Sequence, residues 1–351
     1  MPNRTMFLSS RCRAFLFIPC TLLLAPATFC QQPAQTPPNI HISVDRVNVG
    51  VVVTDSRGQF VSGLHREDFH LFDDGVEQPI TDFFSVDEPA QVLLLIEAGP
   101  AVYLLQGGHL QAIHALLDGL SSGDRVAIAR YNDAPELILD FTADKLTAAA
   151  ALDQLRFNVG FGQLNLASSL AIALDSLAHI PGKKSVVLLS TGVDTSPPRA
   201  AQILLGRLKS TDVRILAISL GGELRGADSP EKKHSKKDPP PSEKAQAAAE
   251  VFAQADEALK SIAEANGGRA YFPRASKDFA AIFKEVAQLV RHEYNLGFVP
   301  PVHDAKLHLL DVRVTGPANV NSTPNGSDPS TTAAYRIDHR QAYIAPPPEP
   351  R

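Results

Sequence analysis

A serine that closes a strand is the first place to look for a nucleophile, and Ala217-Ile218-Ser219-Leu220-Gly221 ends a stretch of strand character. In a nucleophile elbow the serine sits on a sharp turn from strand into helix. Here a Lys- and Pro-rich stretch follows where that helix is needed. The residues therefore favour a buried strand-end serine, and a hydrolase using Ser219 would need a distant histidine as its base. His109 and His114 stand five apart on a helical stretch and point to different faces, unlike the i, i+4 pair of a zinc helix. His303 and His308 flank a turn and a strand with no cysteine nearby, a poor pattern for a metal. Gly107-Gly108 falls inside a helical stretch and lacks the lysine of a phosphate-binding loop. Catalysis is not expected, and neither is a cofactor.

Side chains act only where a fold holds them, and the hydrophobic pattern sets out that fold. Residues 40–54 alternate apolar with polar and then run as Val49-Gly50-Val51-Val52-Val53, the signal of strands on a buried face. Asp55-Ser56-Arg57-Gly58 is a turn by composition. Phe60-Val61, 69–72 and 80–84 continue the strands, and Asp73-Asp74-Gly75 is predicted as the hairpin turn between the last two. At Gln91 the pattern changes. Val92-Leu93-Leu94-Leu95-Ile96 is a continuous apolar run, as a strand covered on both faces requires. Helical stretches at 104–120, 166–177, 200–209, 251–265 and 279–291 alternate with strands at 126–131, 137–141, 185–190, 213–220 and 269–272. That alternation predicts an α/β fold with a doubly wound, mainly parallel sheet over residues 90–292.

One segment, 226–244, interrupts the series and reads as a mobile surface loop. No aromatic residues interleave its lysines, so it reads as a solvated insertion rather than a polyanion site. Strand character returns at 294–298, 307–314, 334–337 and 343–344. A loop over 317–332 separates these strands and carries two glycan-acceptor patterns, at Asn321 and Asn325. The β segments 39–89 and 293–345 are predicted to pack together as one small all-β sandwich with Val52 and Leu310 in a shared core. A Pro-rich tail, 346–351, follows.

The first residues place Arg4, Arg11 and Arg13 before an apolar stretch and then Ala25-Pro26-Ala27, the order of a secretory signal over 1–27. The apolar stretch is shorter than the ~20 residues of a membrane-spanning helix. Residues 28–38 read as a flexible spacer. Cys12, Cys20 and Cys30 all lie in or beside this leader; cleavage after Ala27 leaves one cysteine and excludes an internal disulfide. Phe29 makes Cys30 a poor lipid-attachment site. The chain carries 33 Lys+Arg against 38 Asp+Glu, and three of the arginines are in the leader, leaving 30 against 38. An acidic surface argues against nucleic acid as a partner.

Several motifs carry a resemblance. Val47-Asn48-Val49-Gly50-Val51-Val52, Gly63-Leu64-His65-Arg66-Glu67-Asp68-Phe69 and Leu71-Phe72-Asp73-Asp74-Gly75 open the chain's ordered part. Gly123-Asp124-Arg125-Val126 leads into a strand, and Glu293-Tyr294-Asn295-Leu296-Gly297-Phe298 and Arg340-Gln341-Ala342-Tyr343 close the series. In this order the chain resembles von Willebrand factor A domains, in particular the related proteins common in Acidobacteria. The resemblance implies a Rossmann-like domain whose metal-ion-dependent adhesion site takes D-x-S-x-S after the first strand, Thr from a later loop and Asp after the fourth strand. At the corresponding positions this chain has Glu97, Gly99, Ala101, Leu164 and Thr191. One carboxylate with neutral neighbours has too little charge to dehydrate Mg²⁺ well, so the site is expected to be degenerate and to bind no metal.

The expectation is an exported, non-enzymatic interaction module in the periplasm, at the cell surface or outside the cell. It would hold an unidentified protein partner, with no membrane span, through the loops at the carboxyl ends of the parallel strands. Those loops are 97–103, 160–166 and 191–198, and Glu97, Pro100, Gln163, Asn165, Thr191 and Asp194 are the candidate contacts. The alternatives are a metal-dependent adhesin with a rearranged site, drawing on Asn165 or Gln163, and the exported hydrolase using Ser219.

Overall fold

The computed structural model describes residues 46–86, 89–103, 108–155, 162–224, 243–315 and 335–347. The leader, the spacer, residues 226–242 of the insertion, the loop over 317–332 and the chain beyond 347 lie outside the described residues. In chain order the elements begin with β1 (Val47–Thr54), β2 (Phe69–Asp73), β3 (Val76–Gln78) and β4 (Asp82–Val86). Next come β5 (Gln91–Glu97), the short α1 (Pro100–Tyr103), α2 (Gly108–Gly119), β6 (Arg125–Tyr131), β7 (Pro135–Thr142) and α3 (Lys145–Asp153). They continue with α4 (Leu166–Leu177), β8 (Lys184–Ser190), α5 (Pro198–Ser210), β9 (Arg214–Ser219), the short α6 (Gly221–Leu224) and α7 (Glu243–Glu264). The last are β10 (Arg269–Tyr271), α8 (Ser276–Arg291), β11 (Glu293–Phe298), β12 (Leu307–Val314), β13 (Arg336–His339) and β14 (Ala342–Ile344).

Six strands form one sheet in the order β10-β9-β8-β5-β6-β7, parallel except for the edge strand β7. The run Val92–Ile96 sits at its centre because both faces are covered. Val92, Leu94 and Ile96 pack with Ile113 and Leu116 of α2 and with Phe279, Phe283 and Val286 of α8. Leu93 and Leu95 face the other way, onto Leu166, Leu170 and Leu174 of α4, Leu204 of α5 and Leu259 of α7. Each such side chain taken fully out of water contributes about 1.5–3 kcal/mol, so the alternation of Val92 to Ile96 is what clamps helices to both sides.

The β segments at the two ends of the chain form two four-stranded antiparallel sheets, β13-β1-β11-β4 and β14-β12-β2-β3. Both sheets mix strands from before and after the α/β domain: β1 and β4 flank β11, and β12 lies between β2 and β14. Between them Val49, Val51, Val53, Phe69, Leu71, Tyr294, Leu296, Phe298, Leu310 and Val312 make a shared core.

Four expectations need correction. Val52 does not join Leu310: successive residues of a strand point to opposite faces, so Val51 and Val53 enter the sandwich core while Val52 packs into the α/β core. The hairpin around Asp74-Gly75 joins β2 to β3, and β4 leaves to pair with β11 in the other sheet. Phe60 forms only a single bridge to Thr54 rather than a strand. α7 begins eight residues before the expected 251, and α3, whose Ala-rich sequence has no apolar period, was not anticipated from pattern.

Candidate functional site

Glu97 ends β5, Tyr131 ends β6 and Ser190 ends β8, so their side chains meet at one edge of the sheet. Glu97 is fully buried. Its Oε2 accepts from Thr191 N at 2.7 Å, from the Ser190 hydroxyl at 3.0 Å and from the Thr191 hydroxyl at 2.9 Å. The Tyr131 hydroxyl donates to Ser190 Oγ at 2.7 Å and stands 3.3 Å from Glu97 Oε2. Burial pushes the Glu97 carboxyl above its ordinary value, against the donors of Thr191, Ser190 and Tyr131, which favour the charged form. The Tyr131 phenol is pushed well above its usual value by burial and by the Glu97 charge.

A Cβ added at Gly99 would meet Leu164 Cδ2 at 2.7 Å, with Glu97 Oε1 at 3.5 Å. Leu164 thus fills the place that a serine side chain at position 99 would take, beside the carboxylate. The donors around Glu97 are hydroxyls and an amide that point at it, and the nearest filler is aliphatic. A hard divalent cation needs some six oxygens around it, so these residues do not fit the metal ion that the sequence resemblance implies. Gly192, at φ +77°, turns the chain after Thr191 under α7, where a Cβ would lie 2.5 Å from Ala255 O.

The loops around this closed centre are tied to one another. Thr195 N donates to Leu164 O at 2.7 Å, and Leu164 N donates to Thr195 Oγ1 at 2.8 Å. Asp194 accepts from Leu166 N at 3.0 Å and Ala167 N at 3.1 Å, so it caps α4 from a different loop. Asn165, the residue before α4, makes no cap of its own and instead donates through Nδ2 to Asp133 O at 3.0 Å and Asp133 Oδ1 at 2.6 Å. Glu97, Gly99, Leu164 and Thr191 are therefore together, with Asn165 and Asp194 on the rim, Gln163 exposed beside them and Pro100 opening α1. Ala101 lies in α1, and its side chain is outside the described residues.

Ser219, buried at the end of β9, donates to Asp256 Oδ1 at 2.8 Å and accepts from Gly221 N at 3.2 Å. The histidine that a hydrolase needs is not among these partners. His114 stands 4.0 Å from Asp153 on the surface, and the His109 side chain is outside the described residues. His308 differs: it is buried, with carboxylate oxygens of Asp73, Asp74 and Asp304 within 3.2 Å of its ring nitrogens. The sequence offered two faint signals for this cluster, the Asp73-Asp74-Gly75 turn and the spacing of Asp304 to His308. Their 230-residue separation in the chain hid the link.

No protein-family model matches this sequence, and no curated protein does. Among solved structures the chain is similar to a von Willebrand factor type A protein from Catenulispora acidiphila, at 14% identity, over 71% of this chain and 70% of that one, with a TM-score of 0.45. Another is proximal thread matrix protein 1 from the mussel byssus with a zinc-occupied adhesion-site motif, at 14% identity, covering 60% of this chain and 49% of that one, TM-score 0.41. A third is the PilB minor pilin from Streptococcus sanguinis, at 12% identity, covering 60% and 64%, TM-score 0.40.

Proposed function

We propose that this chain is an exported, non-enzymatic protein-binding module that grips its partner with the loops at the carboxyl edge of the six-stranded sheet, without a metal ion. One observation carries the reading. Three loops from different parts of the chain are cross-linked into a rim by Asp194, Thr195 and Asn165 around a centre that Leu164 closes. A rim held this way loses little conformational freedom when a partner docks, and that preorganisation favours binding. Export rests on the charged-then-apolar leader and its Ala-Pro-Ala site. Among the described residues no helix is long and apolar enough to cross a membrane.

The test is a photo-crosslinking amino acid at exposed Gln163 compared with one at Leu146, on α3 away from the rim. In cells producing the full chain, the Gln163 probe should give a discrete protein adduct that persists with EDTA. An adduct from Leu146 alone, or one abolished by EDTA and restored by Mg²⁺, would count against this reading.

A further inference from the structure

We propose that Asp73, Asp74 and His308 form a divalent transition-metal site, of the class that takes Zn²⁺, clipping the β2–β3 hairpin to β12. The hairpin and β12 come from opposite ends of the chain. Three ligand atoms, one from each residue, lie within 4.8 Å of one another. His308 Nδ1 is 3.2 Å from Asp73 Oδ1 and 2.9 Å from Asp74 Oδ2.

Every other polar atom of these side chains is committed elsewhere. Tyr343 donates to Asp73 Oδ2 at 2.9 Å, and Leu309 N donates to Asp74 Oδ1 at 2.9 Å. His308 Nε2 faces Asp304 Oδ1 at 3.2 Å. A carboxylate only accepts, so Nε2 carries a proton, and Nδ1 is the nitrogen whose lone pair a metal would take. A histidine whose far nitrogen is held by a carboxylate is the usual arrangement behind a metal ligand.

Two of the three converging atoms are buried without a hydrogen bond. Asp73 is 3% exposed and His308 is 8% exposed, yet Asp73 Oδ1 and His308 Nδ1 have no hydrogen bond. Buried polar atoms without partners are uncommon, and an ion is one of the standard explanations. The distances allow a hydrogen bond at Nδ1, so direction is what fails. An imidazolium would aim its proton along the ring axis, past both oxygens. Oxygens that share a metal with a nitrogen stand roughly 35–45° off that axis and about 2.8–3.4 Å from the nitrogen, given metal–ligand bonds of about 2.0–2.2 Å. One nitrogen and two carboxylates suit a borderline ion such as Zn²⁺ better than Mg²⁺, which prefers an all-oxygen octahedron. Asp74 is half-exposed and leaves a coordination position facing solvent.

The Asp74-Gly75 turn holds the ligand in place. Asp74 adopts φ +47° and Gly75 φ +81°, the two left-handed positions of a tight hairpin. Asp74 N also donates to Leu309 O at 2.9 Å, so the turn is docked on β12 from both sides.

The experiment is calorimetric titration of the chelator-treated full chain with Zn²⁺, and with Mg²⁺ for comparison. Saturable 1:1 Zn²⁺ binding is expected, at least tenfold tighter than Mg²⁺, with a rise of several degrees in Tm. Asp74→Asn should weaken it at least tenfold while keeping the bond from Leu309 N; His308→Gln should abolish it. Glu97→Gln, at the other end of the fold's chemistry, should leave it unchanged. If His308→Gln fails to fold, Asp74→Asn decides alone, read by both heat and Tm. Absence of saturable Zn²⁺ binding, or binding of unchanged affinity in Asp74→Asn, would overturn the site. Binding lost in Glu97→Gln but kept in Asp74→Asn would overturn it too, and would place the ion at the sheet edge instead.

Discussion

Glu97 is a carboxylic acid kept where water cannot reach it, and through Ser190 and Thr191 it ties the end of β5 to the end of β8. Its folded pKa is raised by burial above the ordinary value of 4.5. A group with a raised folded pKa contributes stability that is fully present below the unfolded pKa and is lost as pH rises through the folded one. Each unit of displacement corresponds to about 1.4 kcal/mol. Glu97→Gln removes the titration and keeps an acceptor for Thr191 N. Urea midpoints measured across pH 4–8 should therefore show the parent losing stability relative to Glu97→Gln as pH rises above 4.5. A constant difference across that range would mean the carboxyl is ionised as readily as in the unfolded chain. The identity of Glu97 and the missing serines were legible in the sequence, because a motif is local. That Leu164 lies against Gly99 was not, since it depends on how two loops separated by more than sixty residues come together.

At the scale of elements, the strands and helices of the α/β domain were readable because a strand buried on both faces must be apolar throughout, as Val92 to Ile96 are. The sandwich was readable as strands but not as pairs. Strand pairing is a long-range choice, so β3 rather than β4 completes the hairpin, and one step of parity sends Val52 to the other core. His339 shows how the pairing is locked. Its Nδ1 donates to Arg340 O at 2.8 Å, and Nε2 accepts from Val312 N at 3.3 Å, joining β13 to β12. Only the neutral ring can accept at Nε2. Burial lowers its pKa below 6.5, against the hydrogen bond to Arg340 and the charges of Asp311 and Asp338. A depressed folded pKa means stability that is present above 6.5 and is lost as pH falls through the folded value. His339→Gln should flatten the part of the stability profile between pH 7.5 and 5 that the parent loses. An identical slope in both proteins, from chemical denaturation at each pH, would exclude His339 as its source.

At the scale of the whole molecule, the question is why a sandwich and an α/β domain that could each hold a core form one unit over 44–351. Arg269 gives a physical answer. It starts β10 in the six-stranded sheet, is nearly buried, and reaches three other elements. Nη1 donates to Glu285 of α8 at 2.7 Å, and Nη2 donates to Thr54 of β1 at 3.2 Å and pairs closely with Asp338 of β13. The chain approaches this staple through Gly267, at φ +66°, where a Cβ would lie 2.1 Å from the His339 carbonyl carbon; no other residue fits against β13 there. Arg214 makes a second link, pairing with Glu293 of β11 at 3.0 Å. Removing one partner of a buried ion pair leaves the other charge uncompensated, at about 3–5 kcal/mol. Arg269→Met should therefore destabilise the chain by at most about that much, chiefly through Asp338, which keeps only Arg336 at 2.9 Å, while Glu285 is partly exposed to water. Arg269→Met with Asp338→Leu should recover part of the loss, because both buried charges at that contact are gone. The same logic separates a staple from a local contact. If Arg269 couples the two layers, calorimetry of Arg269→Met should resolve two transitions where the parent shows one. A single transition merely shifted to lower temperature would mean that Val52 and the shared apolar packing, rather than the ion pairs, hold sandwich and α/β domain together.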